Sequence, residues 1–141
     1  MTLVACGREI PVLPELLEWL VGSLGPRGAW LVRIALTTGR VRSAEIDAAI
    51  PVLRDAKRIR REQLQADFMR TSRLPKDGAI AASVLATAMP KRLERDAVYQ
   101  AIEQVLALFA DAHRAGASVE CAAYEECAPA RSPAPGTSDE E

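Results

Sequence analysis

The sequence predicts a mainly α-helical protein: a small bundle of about five helices with a short N-terminal β arm or hairpin and a disordered acidic C-terminal tail. Apolar residues recur at intervals of three and four over most of the chain, which is the spacing of one face of an α-helix. Aromatic residues make up only 4% of a chain that is 49% hydrophobic, so the core must consist largely of Leu, Val, Ile and Ala. Such side chains favour closely packed helices.

The chain of 141 residues is long enough for one domain with its own core. We expect residues 1–116 to form the helical domain and residues 117–141 to form a flexible tail. From Ala128 onward the sequence is APARSPAPGTSDEE, which has too little apolar surface to offset the entropy lost on folding.

The N-terminal segment from Thr2 to Leu13 lacks the helical period. Two runs rich in strand-forming residues, TLVAC and EIPVL, are separated by Gly7-Arg8, which predicts a hairpin or an extended arm. Pro11 cannot donate a hydrogen bond within a sheet, so we expect the second strand at an edge. An isolated hairpin is marginally stable, so it should pack on the helices.

The first two helices are predicted from their prolines and glycines. Pro14 suits the first turn of a helix that reads PELLEWLVGSL. The segment Gly22 to Gly28, GSLGPRG, predicts a turn. Trp30 to Leu36 then predicts a short buried helix that ends at Thr37-Thr38-Gly39.

An amphipathic basic helix is predicted from Pro51 to Arg70. Ser43 is a suitable N-cap for a preceding helix over Ala44 to Ile50. Because Pro51 lacks a backbone donor, the chain either kinks there or starts a new helix. The core side of the basic helix is expected to consist of Ala49, Val52, Leu53, Ala56, Ile59 and Leu64.

Two more helices are predicted after this segment. Pro75 and Pro90 each suit a first helical turn, so we expect one helix rich in small residues over Lys76 to Ala88 and a longer one over Lys91 to Ala115. The longer helix should be the central core element, with Gly116 as its stop. Its apolar stripe consists of Val98, Ile102, Val105, Phe109 and Ala112.

Charge is unevenly distributed along the chain, although the formal net charge is only −1. Residues 26–76 contain twelve Lys or Arg and five Asp or Glu, a net charge of +7, whereas residues 116–141 contain six acidic residues and one arginine, a net charge of −5. A positive middle and a negative tail are typical of nucleic-acid binders in which the tail competes for the basic face. The alternative is a solvated helix face with a solubilising tail.

The main candidate for function is a ridge of cations at the spacing i, i+3, i+4 and i+7 on the basic helix. It consists of Arg54, Lys57, Arg58 and Arg61, with Arg70, Arg73 and Lys76 as its extension. A helix offers about one long cation per 5.4 Å turn, which suits the phosphates of a nucleic-acid backbone. Such contacts provide affinity without reading sequence. Few aromatic residues accompany the ridge, which argues against base stacking.

Three polar residues, Arg60, Gln63 and Asp67, fall on the side of the same helix assigned to the core. One interpretation is an internal polar seam in which Gln63 bridges Arg60 and Asp67. The other is the edge of a protein partner interface, because a buried arginine without an acceptor is costly.

No catalytic, metal or cofactor site is predicted. His113 is the single histidine and is expected to be structural near a helix C-terminus. Cys6, Cys121 and Cys127 lack the spacing of a zinc site, and GSLGPRG lacks the residues of a phosphate-binding loop. The absence of a signal peptide and of a long apolar run leads us to expect a cytoplasmic protein with no membrane partner.

The sequence therefore leads us to expect a non-enzymatic accessory subunit of a larger bacterial or phage assembly, binding a nucleic-acid backbone and protein partner subunits. The alternative is a protein-interaction module, such as a phage- or plasmid-encoded inhibitor or an assembly chaperone. In that case the basic helix would contact an acidic protein surface. A homodimer is a further expectation, because helices rich in small residues often pair.

Overall fold

A computed structural model describes residues 1–72 and 78–122. Within them it contains five helices, α1 (Pro14–Leu24), α2 (Pro26–Thr38), α3 (Ser43–Ser72), α4 (Ala79–Arg95) and α5 (Ala97–Ala115). The strands are β1 (Thr2–Ala5), β2 (Arg8–Pro11), β3 (Arg40–Val41) and β4 (Val119–Ala122). The predicted class, a mainly α-helical protein of about five helices with an N-terminal hairpin, is confirmed. The predicted acidic tail from residue 123 onward lies outside the described residues.

The four strands form one antiparallel sheet in the order β2-β1-β4-β3. β1 and β2 form the predicted hairpin, in which Ala5 pairs with Arg8 and both intervening residues, Cys6 and Gly7, have positive φ. In a two-residue hairpin loop, this turn geometry matches the right-handed twist of the flanking strands. Pro11 ends the edge strand β2, as expected from its missing donor.

The sequence analysis missed β3 and β4. β4 lies between β1 and β3, with Val4 opposite Glu120 and Val41 opposite Val119. The predicted domain boundary after residue 116 is therefore too early. Val119 is fully buried, so this segment belongs to the folded part of the chain.

The boundary between α1 and α2 is tighter than the predicted seven-residue turn. Gly22 lies inside α1, and only Gly25, with φ of 63°, separates the two helices. Pro26 begins α2. The predicted buried helix is in fact longer and amphipathic, since Leu36 is 56% exposed.

α3 continues through Pro51 as one helix of 30 residues, so the alternative of a new helix at that proline is wrong. At its start, the Glu45 side chain accepts a hydrogen bond from the Arg42 backbone N–H at 2.9 Å. A carboxylate that reaches back to the first turn in this way stabilises the helix start. Ser43 is the first helical residue and not the N-cap that we predicted.

α4 also continues through its proline, so Pro90 does not begin the last helix as predicted. The break comes at Asp96, whose side chain accepts a hydrogen bond from the Tyr99 backbone N–H at 2.8 Å. Such a bond satisfies a donor at the start of α5. Gly116, in the left-handed conformation, ends α5 as predicted.

The main core lies between the sheet, α1, α2, the first half of α3 and α5. Every residue of the predicted α5 stripe is buried, which confirms α5 as a central element. On α3 the predicted core side is buried as far as Ala56, whereas Ile59 and Leu64 are only partly buried. The second half of α3 therefore extends beyond the main core.

Candidate nucleic-acid interface

Residues 54–72 of α3 together with α4 form a two-helix element that we call the arm. A helix of 30 residues is about 45 Å long, and the last residue that α3 buries is Ala56. α4 buries only Ala81 and Met89 among its described residues, and neither belongs to the main core. Apart from Ala56, which belongs to the main core, the arm is therefore a secondary unit that presents much of its surface to solvent.

The arm carries most of the positive charge. Residues 54–72 and 79–95 contain nine cationic and four acidic side chains, a net charge of +5. The other described residues contain six cationic and nine acidic side chains, a net charge of −3. A charge separation of this kind directs anions to one end of a molecule.

Three of the four ridge cations point outward. Arg54 and Arg61 are exposed, and within the described residues neither makes an ion pair. Arg58 lies between them and contacts Glu62 at 3.1 Å and Asp55 at 3.8 Å. Exposed pairs of this type contribute only about 0–1 kcal/mol, so Arg58 can exchange its partner for a phosphate.

Lys57 does not lie with Arg54, Arg58 and Arg61, which we call the outer ridge. Its Nζ lies 3.1 Å from Glu103 Oε2 and 5.8 Å from the centre of the Tyr99 ring, so the side chain is directed toward α5. The expected ridge of four cations is therefore wrong in including Lys57, because helical spacing alone does not reveal that a neighbouring helix engages this lysine. Of the predicted extension, Arg70 pairs with Asp67, and Arg73 and Lys76 lie outside the described residues.

The predicted partner-interface residues have partners within the chain. Arg60 donates two hydrogen bonds to Asp96, at 2.7 and 2.9 Å, and its guanidinium lies 5.7 Å from the Trp19 ring centre. Gln63 accepts a hydrogen bond from Trp19 Nε1 at 2.9 Å and donates to Ser23 Oγ at 3.4 Å. The predicted bridge of Gln63 between Arg60 and Asp67 does not form. The side chains are instead satisfied by α1 and by Asp96 at the start of α5.

Asp67 completes this seam on the arm. It accepts a hydrogen bond from Arg92 at 2.8 Å and another from Arg70. The guanidinium of Arg92 also lies 5.7 Å from the centre of the Phe68 ring. Because these intramolecular contacts explain Arg60, Gln63 and Asp67, we do not assign the three residues to a partner interface.

The charge of Asp96 is stabilised in the folded protein. Burial alone would raise its pKa, but hydrogen bonds from Arg60 and from the Tyr99 backbone N–H outweigh burial, and the pKa lies below its usual value. The hydrogen bonds that Arg60 donates to Asp96 raise the pKa of Arg60. The pair therefore stays ionised and fixes the start of α5 against α3.

A basic groove lies between α3 and α4 on the arm, with a volume of about 460 Å³, within the range of ligand-binding clefts. Its floor is apolar, its rim is cationic and one carboxylate lies at its end; the lining residues are Leu64, Phe68, Ala88, Lys91, Arg92, Arg95 and Asp96. Arg61 is three residues from Leu64 on α3, a spacing at which helical side chains are neighbours. The outer ridge therefore leads toward the groove.

The cations of the groove were not among the sequence-predicted site residues. Lys91 and Arg95 are exposed, and neither makes an ion pair with any residue of 1–72 or 78–122. Nε of Arg92 is buried and has no hydrogen-bond acceptor in the described part of the chain, a condition that costs about 1–3 kcal/mol. The spacing Lys91, Arg92, Arg95 could have revealed the rim, but Pro90 was taken as a helix start.

Within residues 1–72 and 78–122, no three His, Cys, Asp or Glu side chains are grouped so that they could hold a metal ion. His113 lies 3.9 Å from Asp47 on the surface. Among the described helices, none has the length and hydropathy needed to cross a bilayer.

Cys121 in β4 is expected to be a slow nucleophile. Burial and the neighbouring charge of Glu120 raise its pKa to about 11, and only the thiolate reacts. At pH 8 we expect iodoacetamide to modify Cys121 about ten- to a hundredfold more slowly in the folded protein than in urea. Mass spectrometry of peptides measures the rates, with the exposed Cys6 as the internal reference. Equal rates for Cys121 in both states would contradict the assigned pKa.

Comparison of the chain with protein-family models, with curated proteins and with solved structures finds no match. The function must therefore be argued from the charge and geometry of the arm.

Proposed function

We propose that this protein is a non-enzymatic, cytoplasmic accessory subunit that binds a nucleic-acid backbone with the arm, as part of a larger bacterial or phage assembly. The observation that carries the proposal is the outer ridge of Arg54, Arg58 and Arg61, which leads toward the cationic rim of the groove. Two of the three arginines make no ion pair within the described residues. Their guanidinium groups are available for forked hydrogen bonds to phosphate.

The spacing of the ridge suits a continuous strand. Arg54 and Arg61 are seven residues apart, about 10.5 Å along the helix axis. Phosphates of one strand recur about every 3.4 Å of axis in duplex DNA, so the ridge covers a few phosphates. Contacts of this kind release counterions and depend steeply on salt, but they do not distinguish sequences.

The proposal is tested by replacing Arg54 and Arg61 with glutamine in one protein and measuring its affinity for duplex DNA and for RNA against salt. Removing two phosphate contacts should lower the magnitude of the slope of log K against log salt by about two for duplex DNA. Fluorescence anisotropy with a labelled 20-mer gives both affinity and slope.

A matched control is Arg33→Gln, which removes an exposed arginine from α2 that makes no ion pair with the described residues. This variant should retain the wild-type slope. An equal loss from Arg33→Gln and from the double variant would mean that only total charge matters and would reject the ridge as a site. No binding by the wild-type protein at about 50 mM salt would reject the proposed function.

The groove favours a second candidate function, a protein-interaction module whose arm contacts an acidic protein surface. Its floor is apolar, and Ile80 on the same arm is 75% exposed. Apolar surface with a charged rim is typical of protein interfaces. Under this function Ile80→Ser weakens binding to the protein partner, whereas nucleic-acid binding is absent in both proteins. A homodimer would also use this surface, and sedimentation of the wild-type protein and Ile80→Ser measures it.

A further inference from the structure

The α3–α4 groove has the composition of a docking site for an acidic, partly apolar segment. Lys91 and Arg95 stand at its rim without carboxylate partners in the described ranges. Arg92 has one N–H without an acceptor among those residues. A carboxylate that reaches this wall of the groove would supply the missing acceptor, and the floor around Phe68 would accommodate an apolar side chain.

We propose that residues 123–141 of the same chain dock in this groove. The segment contains five acidic residues and Arg131, a net charge of −4, against +5 on the arm. Its first part reads AYEEC, so Tyr124 stands directly beside Glu125 and Glu126. An aromatic residue next to two carboxylates complements a groove with an apolar floor and a cationic rim.

The chain has enough length for this contact. α5 has 19 residues, about 28 Å. It begins beside Asp96, which lines the groove, and β4 returns along it: Ala122 pairs with Thr2, Thr2 pairs with Pro11, and Pro11 and Gln104 line one cavity. Gln104 lies eight residues, about 12 Å, from Asp96 along α5, and the Cα atoms of Glu125 and Glu126, three and four residues after Ala122, lie at most about 10–14 Å from that of Ala122. A tethered ligand at such a distance acts at an effective concentration of about millimolar.

Docking lets the segment compete with other anions for the arm. This consequence rests on the proposed function, whereas the docking contact itself does not. The segment would displace phosphates from the groove, so that only a longer or more highly charged nucleic acid outcompetes it. Because weakly bound anions would not displace the segment, docking would reduce their binding to the arm.

The contact is tested in the full chain with a spin label on Cys127. Substituting Cys6→Ser and Cys121→Ala directs the label to that residue. At low salt we expect the label to broaden selectively the backbone amide signals of Leu64, Ala88 and Arg92. It should also broaden the guanidinium Nε–H signal of Arg92. The broadening should disappear at about 0.5 M salt, where charges are screened within a few ångströms. It should also disappear when Glu125 and Glu126 are replaced with glutamine.

Further samples test whether the segment or a second copy of the protein occupies the groove, and whether docking competes with nucleic acid. Broadening in a mixture of labelled protein and unlabelled ¹⁵N protein would assign the groove to a second copy and overturn the proposal, as would uniform or absent broadening in the single protein. Lys91→Gln with Arg95→Gln should abolish the selective broadening, whereas Arg33→Gln should not.

The Glu125→Gln, Glu126→Gln protein should bind the 20-mer about threefold or more tightly than the wild type, because the docked state that competes with nucleic acid is depopulated. Selective broadening without any nucleic-acid binding would support the docking and reject the proposed function.

Discussion

Replacing Gly28 with alanine is expected to destabilise the protein by about 3 kcal/mol. Gly28 is buried at the start of α2, where α1 and α2 cross. A Cβ atom there would overlap the carbonyl oxygen of Leu20 and lie 2.7 Å from its carbonyl carbon. Because the obstacle is backbone and not a flexible side chain, the two helices must move apart. Urea unfolding followed by circular dichroism measures the loss.

The matched control is Gly22→Ala, the same chemical change within α1. A Cβ at Gly22 meets no described atom within 4 Å, and alanine is the better helix former by about 0.8–1 kcal/mol. We therefore expect this variant to be more stable than the wild type. If the two substitutions changed stability equally, the close approach of α1 and α2 at Gly28 would be wrong.

These two glycines mark a place where sequence reasoning failed, whereas it succeeded for features that are local in the chain. Features that depend on a few neighbouring residues were predictable: the hairpin with Pro11 at its edge, the stripe of α5 and the stop at Gly116. The segment GSLGPRG was predicted as a turn because glycine is a general signal of chain reversal. Its two outer glycines instead lie in helices, since Gly28 is required by a contact with α1 that no local pattern encodes.

The errors at α4 and β4 have a related cause. Pro90 lies within α4 although an interior proline costs about 3 kcal/mol. Contacts on either side of it, the burial of Met89 and the bond from Arg92 to Asp67, hold the helix together. β4 is four residues long and becomes a strand only because β1 and β3 flank it. Tertiary contacts overrode local preference in both places.

The candidate site was predictable in its charge but not in its pairing. Helical spacing placed Arg54, Arg58 and Arg61 on one outer stripe, where they lie. It could not distinguish them from Lys57, because the partner of that lysine, Glu103, is on α5. The same limit applies to Arg60, whose carboxylate partner is 36 residues away along the chain. A sequence pattern shows which residues are cations, but it does not show which carboxylates lie beside them in the fold.

Removing the Asp96 carboxylate is the second change expected to have a large effect, with Asp96→Ala costing about 2–4 kcal/mol. Loss of one partner from a buried ion pair costs about 3–5 kcal/mol. We lower that figure because the Arg60 and Asp96 side chains remain 22% and 14% exposed. Loss of the N-cap hydrogen bond to Tyr99 adds about 1 kcal/mol. Urea unfolding measures the total.

Two variants separate these contributions. Asn is as good an N-cap as Asp, so Asp96→Asn retains the cap of α5 and removes only the charge that Arg60 requires. A double-mutant cycle of Asp96→Asn with Arg60→Met isolates the pair. Arg58→Ala, which breaks an exposed pair with Glu62, should change stability by less than about 1 kcal/mol. A cost below that value for Asp96→Ala as well would mean that the seam does not fix α5 to α3.

The pair also predicts a pH dependence whose sign follows from the lowered pKa of Asp96. A carboxyl group with a lower pKa in the folded state binds fewer protons than it does in the unfolded chain. Its contribution to stability is therefore complete above the ordinary carboxyl pKa, about 4, and is lost as the pH falls through the folded value. The wild type should lose stability over that interval more steeply than Asp96→Asn. If the stability of the two proteins depended on pH in the same way, the lowered pKa of Asp96 would be contradicted. Asp96 would then not be the charged group that fixes the start of α5 to the arm.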